Sequence, residues 1–311
     1  AYIILNAAKD HFRISKKIIS SRKPIIIEKP LALSKSDVKI LVDLSIKEKT
    51  IFAASNIFLY ADYILNFKKL ISASQNISSI EFIWSDPKDE SRYGDLKHFD
   101  PSLGIHKDVL PHIFSIVFYL FETNKATVKN ICFLNGGSYI KISMIIDGKN
   151  CNIKIKRNNK KRERIIKILD KDIIKMDFAN EPGIVKINNK KEILDTQWDI
   201  SESPATKMYR SFFDTLNKKN STLDPRIKPS NEIYALIDDV DALYIKEQDK
   251  YIRKSITDKI DELDDFNYCI KEYFLVKSFA KYDDVDTKVF NFIKLLKNKS
   301  INTENLLNKD L

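Results

Sequence analysis

The sequence predicts an α/β fold followed by an α+β fold with an open mixed sheet and terminal helices. Three observations predict it. Short apolar strands alternate with amphipathic helices over residues 1–60, short β-rich segments dominate residues 76–187, and two amphipathic helices follow. Alternating strands and helices imply parallel strands joined by right-handed crossovers, whereas consecutive short strands favour an antiparallel or mixed sheet.

The first region, residues 1–60, is predicted to form the second half of a dinucleotide-binding fold. Strands are expected at residues 2–6, 25–27 and 51–54, and a helix at residues 10–20. A second helix begins after Ser34, because the Ser34 and Asp37 side chains can bond the free amides of a first turn.

The second region, residues 61–254, is predicted to be an α+β domain. A helix around residues 109–120 interrupts the sheet, and Asp147-Gly148 is a hairpin signal. One face of the sheet is expected to pair with another subunit. Strands are expected at residues 77–84, 127–134, 139–146, 152–156, 165–169, 173–178 and 183–187.

The C-terminal part is predicted to be helical. Two helices have apolar residues at i, i+3, i+4 and i+7 spacing, which is typical of packing on a sheet. Residues 255–311 are expected to form a helical extension for oligomerisation or partner docking. The apolar positions are Tyr209, Phe212, Phe213 and Leu216 in one helix, and Ile233, Leu236, Ile237, Val240 and Tyr244 in the other.

The net charge of +10 comes mainly from lysines spread along the chain. The densest basic segment, residues 154–164, lies between two alternating segments and is interpreted as a solvated hairpin connection. Contact with nucleic acid or a membrane surface is the weaker alternative. A surface that binds the phosphates of nucleic acid usually concentrates Arg and aromatic residues in one stretch. The expected partners therefore include no nucleic acid and no membrane.

The three cysteines have no metal-ligand spacing, and a reduced, cytoplasmic setting is expected. No apolar run approaches the roughly 18 residues of a membrane span. His106 and His112 lack a third ligand at a suitable spacing, so no metal site is predicted.

Three residues form a candidate proton-transfer site. Lys29 follows a buried strand, at the edge of the sheet where ligands bind in open α/β folds. Asp108 and His112 are four residues apart, so they share one face of a helix. The alternatives are a surface lysine in a turn, a helix-capping aspartate and a locally bonded histidine. Pro111 between them is expected within the first helical turn, where proline is tolerated.

The strand followed by Glu28-Lys29-Pro30, the segment of residues 2–11 and the later Asp-x-x-x-His resemble the glucose-fructose oxidoreductase and inositol dehydrogenase family, Gfo/Idh/MocA. The resemblance covers roughly residues 2–254. It implies a Rossmann domain, NAD or NADP as cofactor, and oxidation or reduction of a sugar, nucleotide-sugar or cyclitol hydroxyl by a homo-oligomer that pairs through the sheet.

The resemblance also implies roles for particular residues. Lys29, Asp108 and His112 are the expected catalytic residues. Tyr60, Arg92 and His106 are expected to contact substrate. Cofactor contacts are expected from Asn6, Ala7, His11, Glu28, Lys29 and Asn56.

One element of the family pattern is missing. The chain has 6 glycines, none before Gly94, and no G-x-G-x-x-G loop for phosphates. The expectation is that residue 1 falls within the fourth strand of the Rossmann domain and that about 60 residues, two βαβ units, precede it in the full enzyme. The alternative is a family-derived binding or assembly protein without catalysis.

Overall fold

The structure, a computed structural model, describes most of the chain up to residue 257. The predicted extension at residues 255–311 lies almost wholly outside the described residues. The described ranges are 1–74, 76–88, 91–92, 95–96, 103–188, 190–193, 195, 198–217 and 222–257.

A three-stranded parallel sheet opens the chain. Its strands are β1 (Tyr2–Ile4), β2 (Ile25–Ile27) and β3 (Phe52–Ala54), in that order, with helices α1 (Ala8–Ser20) and α2 (Lys35–Lys47) in the crossovers. The central strand β2 is buried because it has neighbours on both edges. This arrangement confirms the predicted alternation of strand and helix.

The predicted start of α2 is confirmed in atomic detail. Ser34 is the N-cap, and its Oγ accepts a hydrogen bond of 3.2 Å from the amide of Asp37. After β3 the chain makes a 3-10 turn (Ile57–Tyr60) and then helix α3 (Asp62–Ser72), which the sequence analysis did not predict. Its residues Tyr63, Ile64 and Phe67 are fully buried, and the Tyr63 ring lies 6.0 Å from the ring of Phe178, between centroids.

A mixed eight-stranded sheet forms most of the remaining fold, with strand order β13-β12-β11-β10-β4-β9-β8-β7. Helix α4 (Ile105–Phe121) packs against it, and β5 (Ser91–Arg92) pairs separately with β6 (Asp95–Leu96). The eight strands are β4 (Ser79–Pro87), β7 (Ala126–Leu134), β8 (Tyr139–Ile146), β9 (Lys149–Asn159), β10 (Glu163–Leu169), β11 (Ile173–Asp177), β12 (Ile184–Ile187) and β13 (Lys190–Ile193).

The interpretation of residues 154–164 as a solvated hairpin connection is wrong. Strands β9 and β10 are not neighbours, because β4 lies between them, parallel to β9 and antiparallel to β10. The connection therefore crosses the end of β4. Two of its arginines, Arg157 and Arg164, are buried at 6% and 2% exposure.

Helix α4 begins earlier than predicted. Gly104 is its N-cap, and the amide of Asp108 already bonds the Gly104 carbonyl at 3.1 Å. Pro111 therefore lies beyond the first turn, contrary to the prediction. Because proline has no amide hydrogen, Pro111 cannot donate to the carbonyl of Lys107 as an ordinary helical residue would.

Two further helices complete the described fold, α5 (Pro204–Asn217) and α6 (Asn231–Thr257). All five apolar positions predicted to face inward on α6 are buried. On α5 the prediction was wrong for Phe213, which is 42% exposed, because the buried stripe runs through Met208, Phe212 and Thr215 instead. No helix in the described part of the chain is long and apolar enough to cross a membrane.

Gly137, in the β7–β8 turn, supports a prediction about packing between the sheet and α6. Its φ is +93°, and an added Cβ would lie 2.7 Å from Tyr244 Oη and 2.9 Å from Phe133. We expect Gly137→Ala to lower the free energy of unfolding by about 2–4 kcal/mol, because strain and overpacking add. Gly148→Ala is the control, since Gly148 also has positive φ (+79°) but nothing within 4 Å. Urea unfolding measures both variants, and an equal loss of unfolding free energy in Gly137→Ala and Gly148→Ala would contradict the proposed clash.

Candidate active site

A cleft of about 630 Å³ lies at the carboxyl end of the parallel sheet, facing the larger sheet. Its wall carries eleven polar, charged or aromatic side chains from five parts of the chain: the end of β2, the 3-10 turn, α4, the β4/β10 end of the large sheet and the segment after β11. They are Glu28, Lys29, Phe58, Trp84, Asp86, Asp108, His112, Arg162, Arg164, Asn180 and Glu181.

An ion-pair chain lies at the base of this cleft. Lys29 Nζ donates to Asp108 Oδ1 at 2.5 Å and to the Asp108 carbonyl oxygen at 3.0 Å. On the other side, Arg157 Nη2 donates to Asp108 Oδ2 at 3.0 Å. The Lys29 side chain is 23% exposed and that of Arg157 is 4% exposed. Asp108 therefore holds the ammonium at the cleft wall while the buried guanidinium holds Asp108.

The charges around Asp108 keep it ionised. Burial alone raises the pKa of a carboxyl group, but the ammonium of Lys29 and the guanidinium of Arg157 outweigh burial and lower the pKa of Asp108 well below its ordinary value of 3.8. At neutral pH Asp108 is an acceptor only. It can orient the hydrogens of Lys29, but it cannot supply a proton itself.

His112 follows Asp108 by one helical turn and lies within an aromatic wall. Its ring stacks on Trp84 with centroids 5.4 Å apart and 15° between planes, and meets the edge of Phe58 at 5.1 Å. These two rings restrict the orientations that the imidazole can adopt. The imidazole and the Lys29 ammonium both line the same cleft, so one ligand can contact both.

A second buried ion pair supports that wall. Arg164 pairs with Asp86, donates to the Ser85 carbonyl at 2.7 Å, and places its Cζ 3.8 Å from the centroid of the Trp84 ring. Both Arg164 and Asp86 are nearly fully buried. The ion pair therefore holds the Trp84 ring in place through Arg164, and the Trp84 ring in turn holds the stacked imidazole of His112.

The sequence contained a signal for Arg157 and Arg164 that we did not use. In β9 the buried residues Cys151, Ile153 and Ile155 alternate, and Arg157 continues the same period of two. In β10, Arg164 precedes buried Ile166 and Ile168 in the same way. Because successive strand side chains point to opposite faces, both arginines are required to point inward.

The predicted cofactor residues lie at the ends of the three parallel strands. Asn6 and Ala7 are exposed after β1, and Glu28 accepts a hydrogen bond of 2.8 Å from Ser55 Oγ. Asn56 donates to the Arg226 carbonyl at 2.9 Å. His11 is buried instead, with Nδ1 2.6 Å from the Pro30 carbonyl and Nε2 2.8 Å from the Asn6 carbonyl. His11 thus joins the loops after β1 and β2.

The residues predicted to contact substrate are not brought into this cleft by the described structure. Tyr60 is buried in a different cavity, where its hydroxyl bonds Ser211 and Asp224 at 3.0 and 2.9 Å. The side chain of Arg92 lies outside the described residues. His106 is buried against α6, with Nε2 2.8 Å from Asp241 Oδ1.

His106 gives a prediction about pH. Burial lowers the pKa of His106 below 6.5, although Asp241 raises it in part. The unfolded chain therefore binds a proton that the folded chain does not, and the free energy of unfolding should fall as pH decreases below about 6.5. We expect His106→Gln to be less stable than wild type at pH 8 but to lose less stability between pH 7 and 5. Parallel stability curves in urea titrations would contradict this assignment.

A nicotinamide dinucleotide fits the strand ends only in part. The first turn of α1 points toward these strand ends, and Ala7 at its N-cap makes no side-chain cap bond, so amides are available there. Polar atoms of Asn6, Glu28 and Asn56 surround the same edge. These groups fit the nicotinamide and ribose half. Residues 1–74 contain no glycine and hence no glycine-rich turn for a pyrophosphate.

No group of three or more His, Cys, Asp or Glu suited to a metal ion occurs within the described ranges. The cleft presents one ammonium positioned by an ionised carboxylate, and one imidazole.

Comparison with protein-family models and with curated proteins gives no match. Solved structures do match. The chain is similar to UDP-N-acetylglucosamine 3-dehydrogenase GnnA from Acidithiobacillus ferrooxidans, with TM-score 0.61 and 14% identity over 78% of this chain and 77% of that chain. It is also similar to the dehydrogenase MviM from Clostridium difficile, with TM-score 0.60 and 14% identity over 77% and 78%.

A third similar structure contains ligands. It is a variant of KijD10, a 3-ketoreductase from Actinomadura kijaniata in complex with TDP-benzene and NADP, with TM-score 0.63 and 12% identity over 78% of this chain and 77% of that chain. Identities this low establish the fold and not the activity. The structure thus confirms the predicted resemblance in architecture: this chain has the two-domain fold of the Gfo/Idh/MocA-type oxidoreductases.

Proposed function

We propose that this protein is a nicotinamide-dependent oxidoreductase that acts on a hydroxyl of a sugar, nucleotide sugar or cyclitol. The observation that carries the proposal is the Lys29–Asp108–Arg157 chain facing the same cleft as His112, at the carboxyl end of a parallel sheet. We further propose residues 1–60 as the cofactor domain and residues 61–254 as the substrate domain.

The bound nicotinamide would supply or accept the hydride. The residues of this chain would handle the proton. His112 accepts the proton of the substrate hydroxyl in oxidation, or returns it in reduction, and Lys29 donates a hydrogen bond to the same oxygen. Asp108 orients Lys29, and Arg157 keeps Asp108 ionised and in place.

Asn6, Ala7, Glu28, Lys29 and Asn56 would hold the nicotinamide and its ribose. They lie after three adjacent strands, which is where dinucleotides bind in this class of fold. His11 would act on this site through the loops that it joins. The cofactor is NAD or NADP, and the residues that discriminate between them are not among these.

The test is hydride transfer by the native protein. A panel of nucleotide sugars, free sugars and cyclitols is screened, and oxidation or reduction of the nicotinamide is followed by its absorbance. We expect at least one of these substrates to be turned over, and we expect His112→Ala to lower the rate of that hydride transfer by about 10² or more. His106→Gln is the matched control, because His106 lies outside the cleft. No transfer with any substrate, together with no cofactor copurifying, would instead favour the non-catalytic binding or assembly protein.

We also propose a homo-oligomer that forms through the exposed face of the eight-stranded sheet. That face is not covered by a described helix along its central strands, where Asn152, Ser143 and Lys141 are exposed or partly exposed. Light scattering on the native protein should give a multiple of the mass that denaturing mass spectrometry gives for one chain. A monomer at micromolar concentration would contradict this proposal.

A further inference from the structure

The contact between Lys29 and Asp108 joins two segments that lie 79 residues apart in the chain. Lys29 follows β2, and Asp108 belongs to the first turn of α4. The bond from Lys29 Nζ to Asp108 Oδ1 is 2.5 Å long, and a shift of about 1 Å in either segment would stretch it past the usual range of a hydrogen bond. The geometry of this contact therefore depends on what holds the two segments.

Helix α6 holds the loop of residues 28–34, which lies between β2 and α2 and carries Lys29. The amide of Leu31 donates a hydrogen bond of 2.6 Å to Tyr234 Oη, and the amide of Lys35 donates one of 3.0 Å to Asp238 Oδ2. Tyr234 and Asp238 are four residues apart, so they share one face of α6. The loop is thus bonded to the same helix at two points.

The bond to Tyr234 is sealed from solvent. Tyr234 is 4% exposed and Leu31 is 2% exposed. The space behind Lys29, which Leu31, Pro111 and Tyr234 also line, measures about 10 Å³. This is about the lower limit for one water molecule, so water has little room to take over either side of the bond. The Leu31 amide therefore depends on the Tyr234 hydroxyl.

Lys107 connects the same loop to the first turn of α4. Its Nζ donates to the Leu33 carbonyl at 3.3 Å and pairs with Asp241 Oδ2 on α6 at 2.7 Å. Lys107 directly precedes Asp108 in the chain. One side chain thus joins the loop that carries Lys29, the turn that carries Asp108, and α6.

Tyr234 and Lys107 do not line the cleft that contains Lys29 and His112. They can act on the reaction only by placing the backbone beside Lys29 and Asp108. Such placement matters, because a misplacement of about 1 Å in a catalytic group can cost about 10² in rate. The first two bonds of α6 fix one partner of the contact, and the pair of Lys107 with Asp241 fixes the other.

We propose that Tyr234 and Lys107 are positioning residues, which hold Lys29 against Asp108 from outside the cleft. This inference rests on the proposed function, because the contact matters for hydride transfer only if Lys29 is catalytic. It deepens that function by extending the proton-transfer machinery to α6. The geometry of the cleft then depends on a helix that lies behind it.

The first experiment measures the freedom of Lys29 without catalysis. Trace acetic anhydride acetylates amines of the native protein, and peptide mass spectrometry gives the rate at Lys29 relative to the exposed Lys23. In wild type Lys29 should react more slowly, because its Nζ is bonded to Asp108. We expect the ratio of the two rates to rise about fivefold or more in Tyr234→Phe and in Lys107→Met, since each variant loses a hydrogen bond that holds the contact.

Two further variants calibrate the ratio. Asp108→Asn removes the charge that binds the ammonium and sets the upper limit of the ratio. Asp239→Asn is the matched control, because Asp239 is exposed on α6 next to Asp238, and the ratio should stay within about twofold of wild type. Circular dichroism verifies that each variant is folded. If Tyr234→Phe does not fold, Lys107→Met decides the outcome, since the Lys107 side chain is 21% exposed and its loss should be tolerated.

Lys68 separates positioning from general stability. Its side chain is 20% exposed and pairs with Glu122, far along the chain from both segments. Acetylation of Lys68 should be the same in wild type and in every variant. An equal rise at Lys68 and Lys29 would show that the bonds of Tyr234 and Lys107 serve the stability of the whole fold, and would overturn the proposal.

The second experiment measures hydride transfer with a panel substrate that wild type turns over. Tyr234→Phe should lower kcat about tenfold and leave KM within about twofold, because the cleft keeps its substrate contacts while the ammonium is misplaced. Asp239→Asn should change neither constant. A higher acetylation ratio with unchanged kcat would overturn the link between this positioning and the reaction.

An unchanged ratio of Lys29 to Lys23 acetylation in the folded Tyr234→Phe and Lys107→Met variants would overturn the proposal outright. Because acetylation needs no turnover, its result stands even if no panel substrate reacts. An unchanged ratio, in turn, leaves the test of the oxidoreductase function untouched.

Discussion

Replacing Lys29 with alanine is expected to lower turnover by about 10² or more in the native protein. The ammonium is held at the cleft wall by two contacts to Asp108, and no other lysine lines the cleft among the described residues. Without it the substrate oxygen loses a charged hydrogen-bond donor during hydride transfer. The loss should fall mainly on kcat, because this hydrogen bond strengthens as charge develops on the oxygen.

The matched control for this prediction is Lys23→Ala. Lys23 is exposed and precedes β2 at the opposite end of the strand from Lys29, so its removal should change turnover less than twofold. In the Lys29→Ala variant Asp108 keeps Arg157 as a partner, and the fold should persist. Circular dichroism verifies this. Unchanged turnover in a folded Lys29→Ala variant would remove Lys29 from the mechanism.

Replacing Arg157 with alanine is expected to cause a large loss in the free energy of unfolding. The Arg157 side chain is 4% exposed and its partner Asp108 is 21% exposed, so the pair is largely removed from water. Removing one partner of a buried ion pair is strongly destabilising. Because Asp108 keeps Lys29 and some solvent contact, we expect a loss of about 2–3 kcal/mol in the free energy of unfolding at pH 7.

The pH dependence makes this prediction specific. In wild type the pKa of Asp108 is lowered from 3.8, so Asp108 stabilises the folded state above about pH 4, and this contribution is lost as pH falls toward the lowered pKa. In Arg157→Ala the Asp108 carboxyl group stays buried but loses one of its two neighbouring cations, which raises the pKa of Asp108. The stability difference between wild type and variant should therefore narrow below pH 4.

Arg13→Ala is the control for Arg157→Ala. Arg13 makes an exposed ion pair with Asp10 at 3.2 Å, which should contribute no more than about 0.5 kcal/mol. Urea titrations at several pH values give the free energy of unfolding of wild type, Arg157→Ala and Arg13→Ala. A stability difference for Arg157→Ala that is constant from pH 7 to pH 3 would show that Arg157 acts by packing alone and not through Asp108.

The elements of the fold were predictable where local chemistry decides them. Strand β2 is a run of three isoleucines, and Ser34 offers an oxygen to a free helix amide, so both follow from neighbouring residues. The hairpin at Asp147-Gly148 was predictable for the same reason, since both residues adopt positive φ. Strand order was not predictable. That β4 separates β9 from β10 depends on pairings between distant segments.

Of the candidate site, the residues that line the cleft were predictable, but the buried residues that support them were not. Lys29, Asp108 and His112 could be placed because a strand end and an i, i+4 spacing bring their side chains to one edge and one face. Arg157 and Arg164 were misinterpreted because charge density was given more weight than strand period. Tyr60 follows β3 in sequence, but the 3-10 turn after that strand directs its hydroxyl to Ser211 and Asp224.

The most direct test of the central claim follows the hydride itself. Reduced nicotinamide carrying deuterium at the transferable position of the ring is incubated with the native protein and a keto-sugar nucleotide, and the sugar product is analysed by mass spectrometry. The account predicts one deuterium bound to carbon in the product of the wild-type protein and about a hundredfold slower incorporation in Lys29→Ala. Product without deuterium, or equal incorporation in both proteins, would contradict it.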